Sequence, residues 1–338
     1  MTLWMFGFAY LVPLAVGLLM LAMPWLSRGS TFFAVTVPPG FAESDVGRVI
    51  RRRYFAGVCA VTLLALAAIT PVWRWLDPEP AMAVAHSIAI VIVTFGALAV
   101  FLHCRACALA YSRSDEVRLS IEIRPPDRLR HLVPQPLVLH LLPYLPVLAA
   151  MAWLALQTPL RSVGGEALGL GAVYGAPLAM LGTLIFMHLV MPMALLIRRL
   201  PGHQTRVRAI NRMLLWMMVF TGLIGAWVSL AVIYGERWIV GPVGASVQIA
   251  LILAILAVPL IMWWTGSFDR PGQADEGDRS PDGAWKLGMI YFNPDDPALW
   301  LEKRFGVGYT LNFGRPMAWV ILLGFVGATG LLIVLTVP

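Results

Sequence analysis

The sequence predicts an all-α polytopic membrane protein with about eight transmembrane helices and a small α+β cap on the cytoplasmic side. Hydrophobic residues make up 59% of the 338 residues, and charged residues make up only 13%. Soluble domains carry roughly 25% charged residues, so the composition excludes a soluble globular class. The charged residues are also confined to stretches between long apolar segments, which is typical of multi-pass membrane proteins.

Eight apolar segments are long enough to cross a hydrocarbon core of about 30 Å. The first segment has no basic region before it and no small-residue cleavage site after it, so we expect a retained helix rather than a signal peptide. The predicted segments are 3–26, 55–76, 81–102, 137–157, 169–197, 213–234, 241–264 and 317–337.

The basic residues predict the orientation of these segments. Of the 25 lysines and arginines, 22 lie in the odd-numbered loops, and basic loops stay in the cytoplasm. The basic cytoplasmic loops are then 27–54, 103–136 and 198–212, and both termini lie outside. This pattern predicts a multi-pass membrane protein whose basic loops face the cytoplasm. The net charge of +7 follows from the same loops, whose expected partners are membrane lipids with anionic headgroups and not nucleic acid.

Composition divides the chain into four parts. Residues 1–268 contain the first seven helices and their loops, and residues 317–338 contain the eighth helix. Between them, residues 269–284 are rich in glycine, proline and acidic residues, which predicts a flexible linker. Residues 285–316 are expected to form a small cytoplasmic strand–helix–strand module.

Turn signals within the module predict its elements. Asp296 precedes a proline and is expected to cap a helix over 297–305, which Gly306 ends. Residues rich in β-formers predict strands over 286–292 and 308–314.

Two strands are marginally stable alone. Residues 33–37 of loop 1 and 117–123 of loop 3 also alternate between apolar and polar side chains, as half-buried strands do. We therefore expect loops 1 and 3 to join the module in one cytoplasmic cap.

The runs WKLG, NPDDP and EKRFGVGYTLNFGRP resemble a short C-terminal domain of unknown function on multi-pass bacterial membrane proteins. Some of those proteins look related to the SdpI type of immunity protein. Loop 1, from Phe32 to Tyr54, is similar to the first loop of the same proteins. That family has no established activity, so the resemblance implies class and architecture and points towards an immunity-like role.

Few side chains suggest chemistry. His188 is the ionisable group nearest the middle of a span, which makes it a functional candidate, although a hydrogen bond between helices explains it as well. Asp295 and Asp296 suggest a carboxylate site, but a capping turn explains them more simply. The other candidates in the module, for phosphate, headgroup or partner contact, are Lys303, Arg304 and Asn312.

A cysteine cluster ends the third segment. His103, Cys104 and Cys107 form an H-C-x-x-C pattern, but a zinc site needs a fourth ligand, and only His131 and His140 are near in sequence. Structural cysteines are the preferred interpretation, and neither a metal nor a cofactor is expected. The sequence has no G-x-S-x-G, H-E-x-x-H or Walker motif.

Three classes of function remain open. A non-catalytic sensing, immunity-like or accessory protein is favoured, because the middles of the spans lack acidic residues and the loops lack catalytic motifs. Its module would contact a protein partner, through residues 285–316, or lipid headgroups. The alternatives are a transporter or channel with a midplane site near His188, and an enzyme acting on a lipid-soluble substrate.

Overall fold

The computed structural model describes residues 3–27, 31–75, 78–113, 140–157, 170–193, 204–234, 242–266 and 280–336. Within these ranges the chain forms eight α-helices and three pairs of short antiparallel strands. The helices are α1 (Leu3–Leu26), α2 (Asp45–Trp75), α3 (Pro78–Leu109), α4 (Tyr144–Gln157), α5 (Leu170–Met193), α6 (Gln204–Tyr234), α7 (Pro242–Trp264) and α8 (Pro316–Thr336). The strands are β1 (Thr31–Phe32), β2 (Val35–Thr36), β3 (Trp285–Lys286), β4 (Ile290–Tyr291), β5 (Trp300–Glu302) and β6 (Tyr309–Leu311).

Five helical segments of the described chain are long and apolar enough to cross a membrane. They are Ala9–Leu26, Asp45–Pro71, Val84–Leu109, Ala209–Trp227 and Ser246–Trp264. Shorter apolar segments are Tyr144–Leu156, Pro177–His188 and Pro316–Gly327. An all-α, membrane-type fold is therefore confirmed. Each of the eight predicted spans overlaps one helix, and the count of eight membrane crossings stays a prediction.

The chain divides into two compact units, of which the first comprises Met1–Asp127, Ile197–Ile210 and Pro259–Arg315. In this unit α1, α2 and α3 pack against one another. Glycines allow the close approach, because a Cβ on Gly96 would lie only 2.4 Å from Cγ1 of Val61 on α2. At one end of the three helices lies an aromatic core built on Phe33, Tyr54 and Phe101.

The second unit comprises Arg128–Leu196, Asn211–Val258 and Pro316–Pro338. Within it α5 packs against both α4 and α8. The rings of Phe186 on α5 and Phe325 on α8 are 4.4 Å apart. Its buried core is Val147, Leu184, Leu215 and Met218.

Residues 280–315, here called the C-terminal module, form two hairpins rather than strand, helix and strand. The helix predicted over 297–305 is wrong, because β5 pairs with β6 in the register Leu301 opposite Thr310. All three residues of β5 are buried, whereas one helical turn at this surface would expose a side chain. Gly306, at φ 79°, belongs to the connection between β5 and β6 instead of ending a helix.

The strand predicted over 286–292 is also wrong, because β3 and β4 form a tight hairpin. Its turn is Leu287–Gly288, and both residues have positive φ, 53° and 74°. The predicted strand over 308–314 is confirmed in a shorter form as β6. A bridge from Tyr291 to Asn312 joins the two hairpins.

Loop 1 forms a third hairpin, β1–β2, instead of the single strand predicted over 33–37. Phe33 and Ala34 are its turn, with φ of 48° and 61°. In the described chain this hairpin remains a separate two-stranded sheet, so the predicted sheet shared by loop 1 and the module is wrong. The loop 3 segment 117–123 lies outside the described residues.

Candidate functional site

Arg304, between β5 and β6, is completely buried, and its guanidinium group is fully used inside the chain. It donates to the Asp282 carboxylate and the Ser280 carbonyl, to Ser280 Oγ at 3.1 Å and to the Ala34 carbonyl at 3.2 Å. Its carbon Cζ lies 5.2 Å from the centre of the Trp285 ring. The planar fork of arginine suits such a divided set of acceptors, whereas a lysine has a single ammonium group.

Arg105, near the end of α3, reaches the same carbonyl from the other side. It is buried and donates to the carbonyls of Ala34 at 2.5 Å and Phe33 at 3.4 Å. It also donates to the carbonyl of Trp285 at 3.0 Å. The left-handed backbone of the loop 1 turn presents the Ala34 carbonyl to both arginines. Such a conformation costs roughly 1–3 kcal/mol for a residue other than glycine, so the two charged hydrogen bonds offset a local strain.

Asp282 is the acidic partner of this group and is also buried. Its carboxylate accepts the Thr36 backbone N–H at 3.1 Å and the Thr36 hydroxyl at 3.0 Å. It also accepts the Ser112 hydroxyl, just after α3, at 2.6 Å. Asp282 lies in the stretch 269–284 predicted to be a flexible linker, and its buried contacts show that ordered structure includes residues before 285.

We call Arg105, Asp282, Arg304 and the Ala34 carbonyl the docking network. Its members come from α3, from loop 1 and from the C-terminal module, so it ties the module to the helix end. Buried charges are costly unless they are paired and hydrogen-bonded. Arg304 and Asp282 form an ion pair, and Arg105 is hydrogen-bonded to backbone carbonyls. The network is a complete structural clamp, with its charged groups turned inwards.

The β5–β6 connection is a second attachment point. The Phe305 ring stacks on Phe101 of α3 with 4.0 Å between ring centres, and the Gly306 N–H donates to Ser27 Oγ at 2.8 Å. Gly306 therefore faces the end of α1, where a Cβ on it would lie 2.8 Å from Sδ of Met23, whereas Gly314 packs against Asn293 of the module. Lys303 in the same connection is half-buried, and this burial lowers its pKa from the ordinary 10.5.

Asp296 and Asn312 are buried within the module and hold the NPDDP turn. The Asp296 carboxylate accepts the Tyr291 hydroxyl at 2.8 Å and the Ala298 N–H at 3.0 Å. The Asn312 amide group donates to three carbonyls, of Asn293 at 2.8 Å, Asp296 at 3.0 Å and Ala298 at 3.1 Å. Asp296 thus caps a turn, as predicted, but no helix follows it.

The adjacent carboxylates diverge. Asp295 is exposed, while Asp296 is completely buried. A shared carboxylate site would need both groups to face one point in space. The geometry therefore separates them.

The predicted cysteine cluster also diverges. Cys104 is buried, with its Sγ 3.7 Å from the Ile50 carbonyl of α2, whereas His103 is exposed and Cys107 is half-buried. In the described part of the chain, no three metal-ligating side chains come together. His131 lies outside the described residues.

The comparisons with known proteins concern this module. Residues 294–319 match the model of a family of unknown function (DUF5808). An uncharacterised C-terminal domain is thus confirmed, over the NPDDP turn, β5, β6 and the start of α8. No curated protein and no solved structure matches the chain, and the relation to SdpI-type proteins stays a prediction.

The matched segment includes Arg304. It excludes the other two charged members of the docking network, Arg105 and Asp282, which our sequence analysis did not select. Arg105 had a usable signal, since it interrupts the apolar run FLHCRACALA, and an arginine there requires partners. Asp282 gave no such signal in the sequence, because it is one of several acidic residues in a polar stretch.

In the second unit, the structure brings His188 together with His140 and Tyr144. His140 Nδ1 lies 3.1 Å from His188 Nε2, and His188 Nδ1 lies 2.8 Å from the Tyr144 hydroxyl oxygen. Tyr144 donates its single proton to the Leu184 carbonyl, so it accepts from His188 Nδ1–H, and His188 Nε2 then accepts from His140. The chain ends at His140 Nε2, a buried atom with no hydrogen-bond partner among the described residues.

This His140–Tyr144–His188 chain lies near helix ends. Tyr144 is the first residue of α4, and His188 lies in the last two turns of α5, which ends at Met193. The site is therefore not at the middle of either helix, as a midplane position would require.

Proposed function

We propose that this integral membrane protein is a non-catalytic sensing, immunity-like or accessory subunit. Its C-terminal module would contact a protein partner or lipid headgroups while clamped to the ends of α1, α2 and α3. The docking network carries this proposal, because its arginines and carboxylate are consumed in holding the module in place. A side chain that performs catalysis or binds a soluble substrate has to face an open site, and these charged groups do not.

The clamp would also connect the module to the membrane helices. Arg105 belongs to a candidate membrane span, and Asp282 and Arg304 belong to the module. A displacement of α3 would break charged hydrogen bonds to the module, and binding to the module would restrain α3. Such a two-way coupling suits a sensing or accessory role.

We further propose that the eight helices are eight spans in a bacterial cytoplasmic membrane, with both termini outside and the module in the cytoplasm. The distribution of lysines and arginines supports this arrangement. The matching of each predicted span to one helix supports it as well.

The test is a native pull-down from mild detergent with a variant in which the module is undocked. Asp282→Ala removes the acceptor of Arg304, and Asp45→Ala, at an exposed carboxylate paired with Arg48, is the matched control. We expect the wild type and Asp45→Ala to recover a partner that Asp282→Ala loses at equal expression. A protein that remains solitary in all three forms would contradict the protein-partner form of the proposal.

A transporter or channel is the second candidate, and the His140–Tyr144–His188 chain supports it. Linked imidazole and hydroxyl groups inside a helical membrane protein are suited to binding or passing a proton or small cation. Reconstituted vesicles test this function. Solute movement that is present with the wild type and with Tyr10→Phe, and absent with His188→Phe, would favour transport over the accessory role.

A further inference from the structure

The β3–β4 hairpin has two unlike faces. Trp285 and Tyr291 point inwards and are buried, whereas Leu287, Ile290 and Phe292 are 55%, 43% and 46% exposed. We call these three residues, which lie together along a short hairpin, the outer hairpin face. Water is an unfavourable environment for such adjacent apolar side chains.

The turn of this hairpin rests on the end of a membrane span. A Cβ on Gly288 would lie 3.1 Å from Phe101 Cζ and 3.0 Å from Arg105 Cδ. Phe101 and Arg105 both belong to the apolar segment Val84–Leu109. Leu287 precedes Gly288 and is therefore close to the last turns of that span, with its side chain exposed.

We propose that the outer hairpin face inserts into the headgroup region of the lipid bilayer and anchors the module there. The inference rests on the proposed function, because it names lipid as the contact that this face of the docked module makes. Leu287, Ile290 and Phe292 would meet the upper acyl chains. The exposed Lys286, opposite Ile290 in the hairpin, would meet lipid phosphates.

The depth of the turn favours lipid over a protein as the occupant. A soluble partner would have to enter the bilayer boundary to cover a side chain close to the last turns of α3. The side of the turn that faces the protein is already filled, since Met289 packs on the aromatic core around Phe101. The outer side is therefore left to lipid.

Site-directed fluorescence tests the anchor in the full chain. The native cysteines at 59, 104 and 107 are replaced by serine, and Leu287→Cys or Ile290→Cys carries an environment-sensitive NBD label. The control label is at Asp45→Cys, a 95% exposed side chain in the first turn of α2, within the basic loop 27–54 and ahead of the span predicted over 55–76. The proteins are reconstituted in phosphatidylcholine–phosphatidylglycerol vesicles, with and without lipids that carry a spin label near the headgroup.

We expect a blue-shifted emission at 287 and 290, and a loss of intensity with spin-labelled lipid that the label at 45 does not show. Emission at 287 and 290 like that at 45, without quenching, would overturn the anchor. This outcome is distinguishable from failure of the proposed function, since the pull-down uses the wild-type hairpin. A recovered partner with unquenched labels would leave the accessory role standing, and quenched labels with no partner would support the anchor alone.

Discussion

Individual side chains in the docking network differ from surface charges of the same type, and Arg304 is the clearest case. Arg304→Met leaves the Asp282 carboxylate buried without its cation, which costs about 3–5 kcal/mol when one partner of a buried pair is lost. We expect a large fall in Tm in detergent, measured by thermal unfolding. Arg48→Met is the control, because its ion pair with Asp45 is exposed and is worth about 0–1 kcal/mol. Equal effects of both changes would contradict the clamp.

The two adjacent aspartates give a second matched pair. Asp296→Ala removes the acceptor of the Tyr291 hydroxyl and of the Ala298 N–H, and leaving buried donors unsatisfied costs about 1–3 kcal/mol. Asp295→Ala, at an exposed position, should change stability by less than about 0.5 kcal/mol. The rate of limited proteolysis of the module measures the loss of stability in both variants. If Asp295→Ala abolished function in a folded protein, the turn would be a chemical site.

Lys303 predicts a pH dependence. Burial lowers its pKa from 10.5, so the unfolded chain binds this proton more readily than the folded chain does. The penalty on the folded state therefore grows as the pH falls from 10.5 to the lowered pKa, is constant below that pKa, and is absent well above 10.5. Lys303→Met should raise Tm near neutral pH, by an amount that shrinks as the pH approaches 10.5. Lys286→Met, at an exposed lysine, is the control, and a difference that does not vary with pH would refute this account.

At the scale of elements, glycines in tight turns show where space matters. Gly288 and Gly40 have nearly the same φ, 74° and 76°. A methyl group on Gly40 meets nothing within 4 Å, whereas one on Gly288 crowds Phe101 and Arg105. Gly40→Ala should lower the free energy of unfolding by about 1–2 kcal/mol, because alanine is unfavourable in a left-handed backbone conformation. Gly288→Ala should lower it further and weaken the contact of the module with α3. Thermal unfolding measures the Tm of both variants, and an equal decrease in Tm would mean that the hairpin turn does not pack closely against α3.

The helices could be predicted from the sequence and the module could not, for a physical reason. A long apolar run determines a helix by itself, because each backbone group is satisfied within the segment. The module has strands of two or three residues, too short for a periodic pattern, and its stability comes from distant contacts. Asp296 capped a turn as expected, but the chain continued as β5, since pairing with β6 buries Trp300, Leu301 and Glu302 together.

The candidate site was predictable only in part, for the same reason. Arg304 was selected from its neighbours in the sequence, but its partners come from residues that are distant along the chain. His188 was selected for its apolar surroundings, and its contacts with His140 and Tyr144 depend on how α4 and α5 pack.

At the scale of the whole molecule, the proposed topology makes a direct prediction. Reporter enzymes that are active only outside the cytoplasm should be active when fused after Gly164 or Pro338 and silent after Gln204. The physical reason is the concentration of arginines in the odd-numbered loops, which resist translocation. Cytoplasm-active reporters at the same sites are the control. The reverse pattern of reporter activity would show the opposite topology, with the module outside the cytoplasm, and would contradict this prediction.

The docking network also imposes an order on biogenesis. Arg105 leaves the ribosome 177 residues before Asp282, and at synthesis rates of about 5–20 residues per second this gap lasts roughly 10–35 s. Throughout that interval α3 is complete and the cation at its end already has the loop 1 carbonyls of Phe33 and Ala34, but it lacks the module's carbonyls of Asp282 and Trp285. A nascent chain that stops before the module therefore keeps Arg105 with only its loop 1 hydrogen bonds, and half of the docking network is in place before the other half is synthesised.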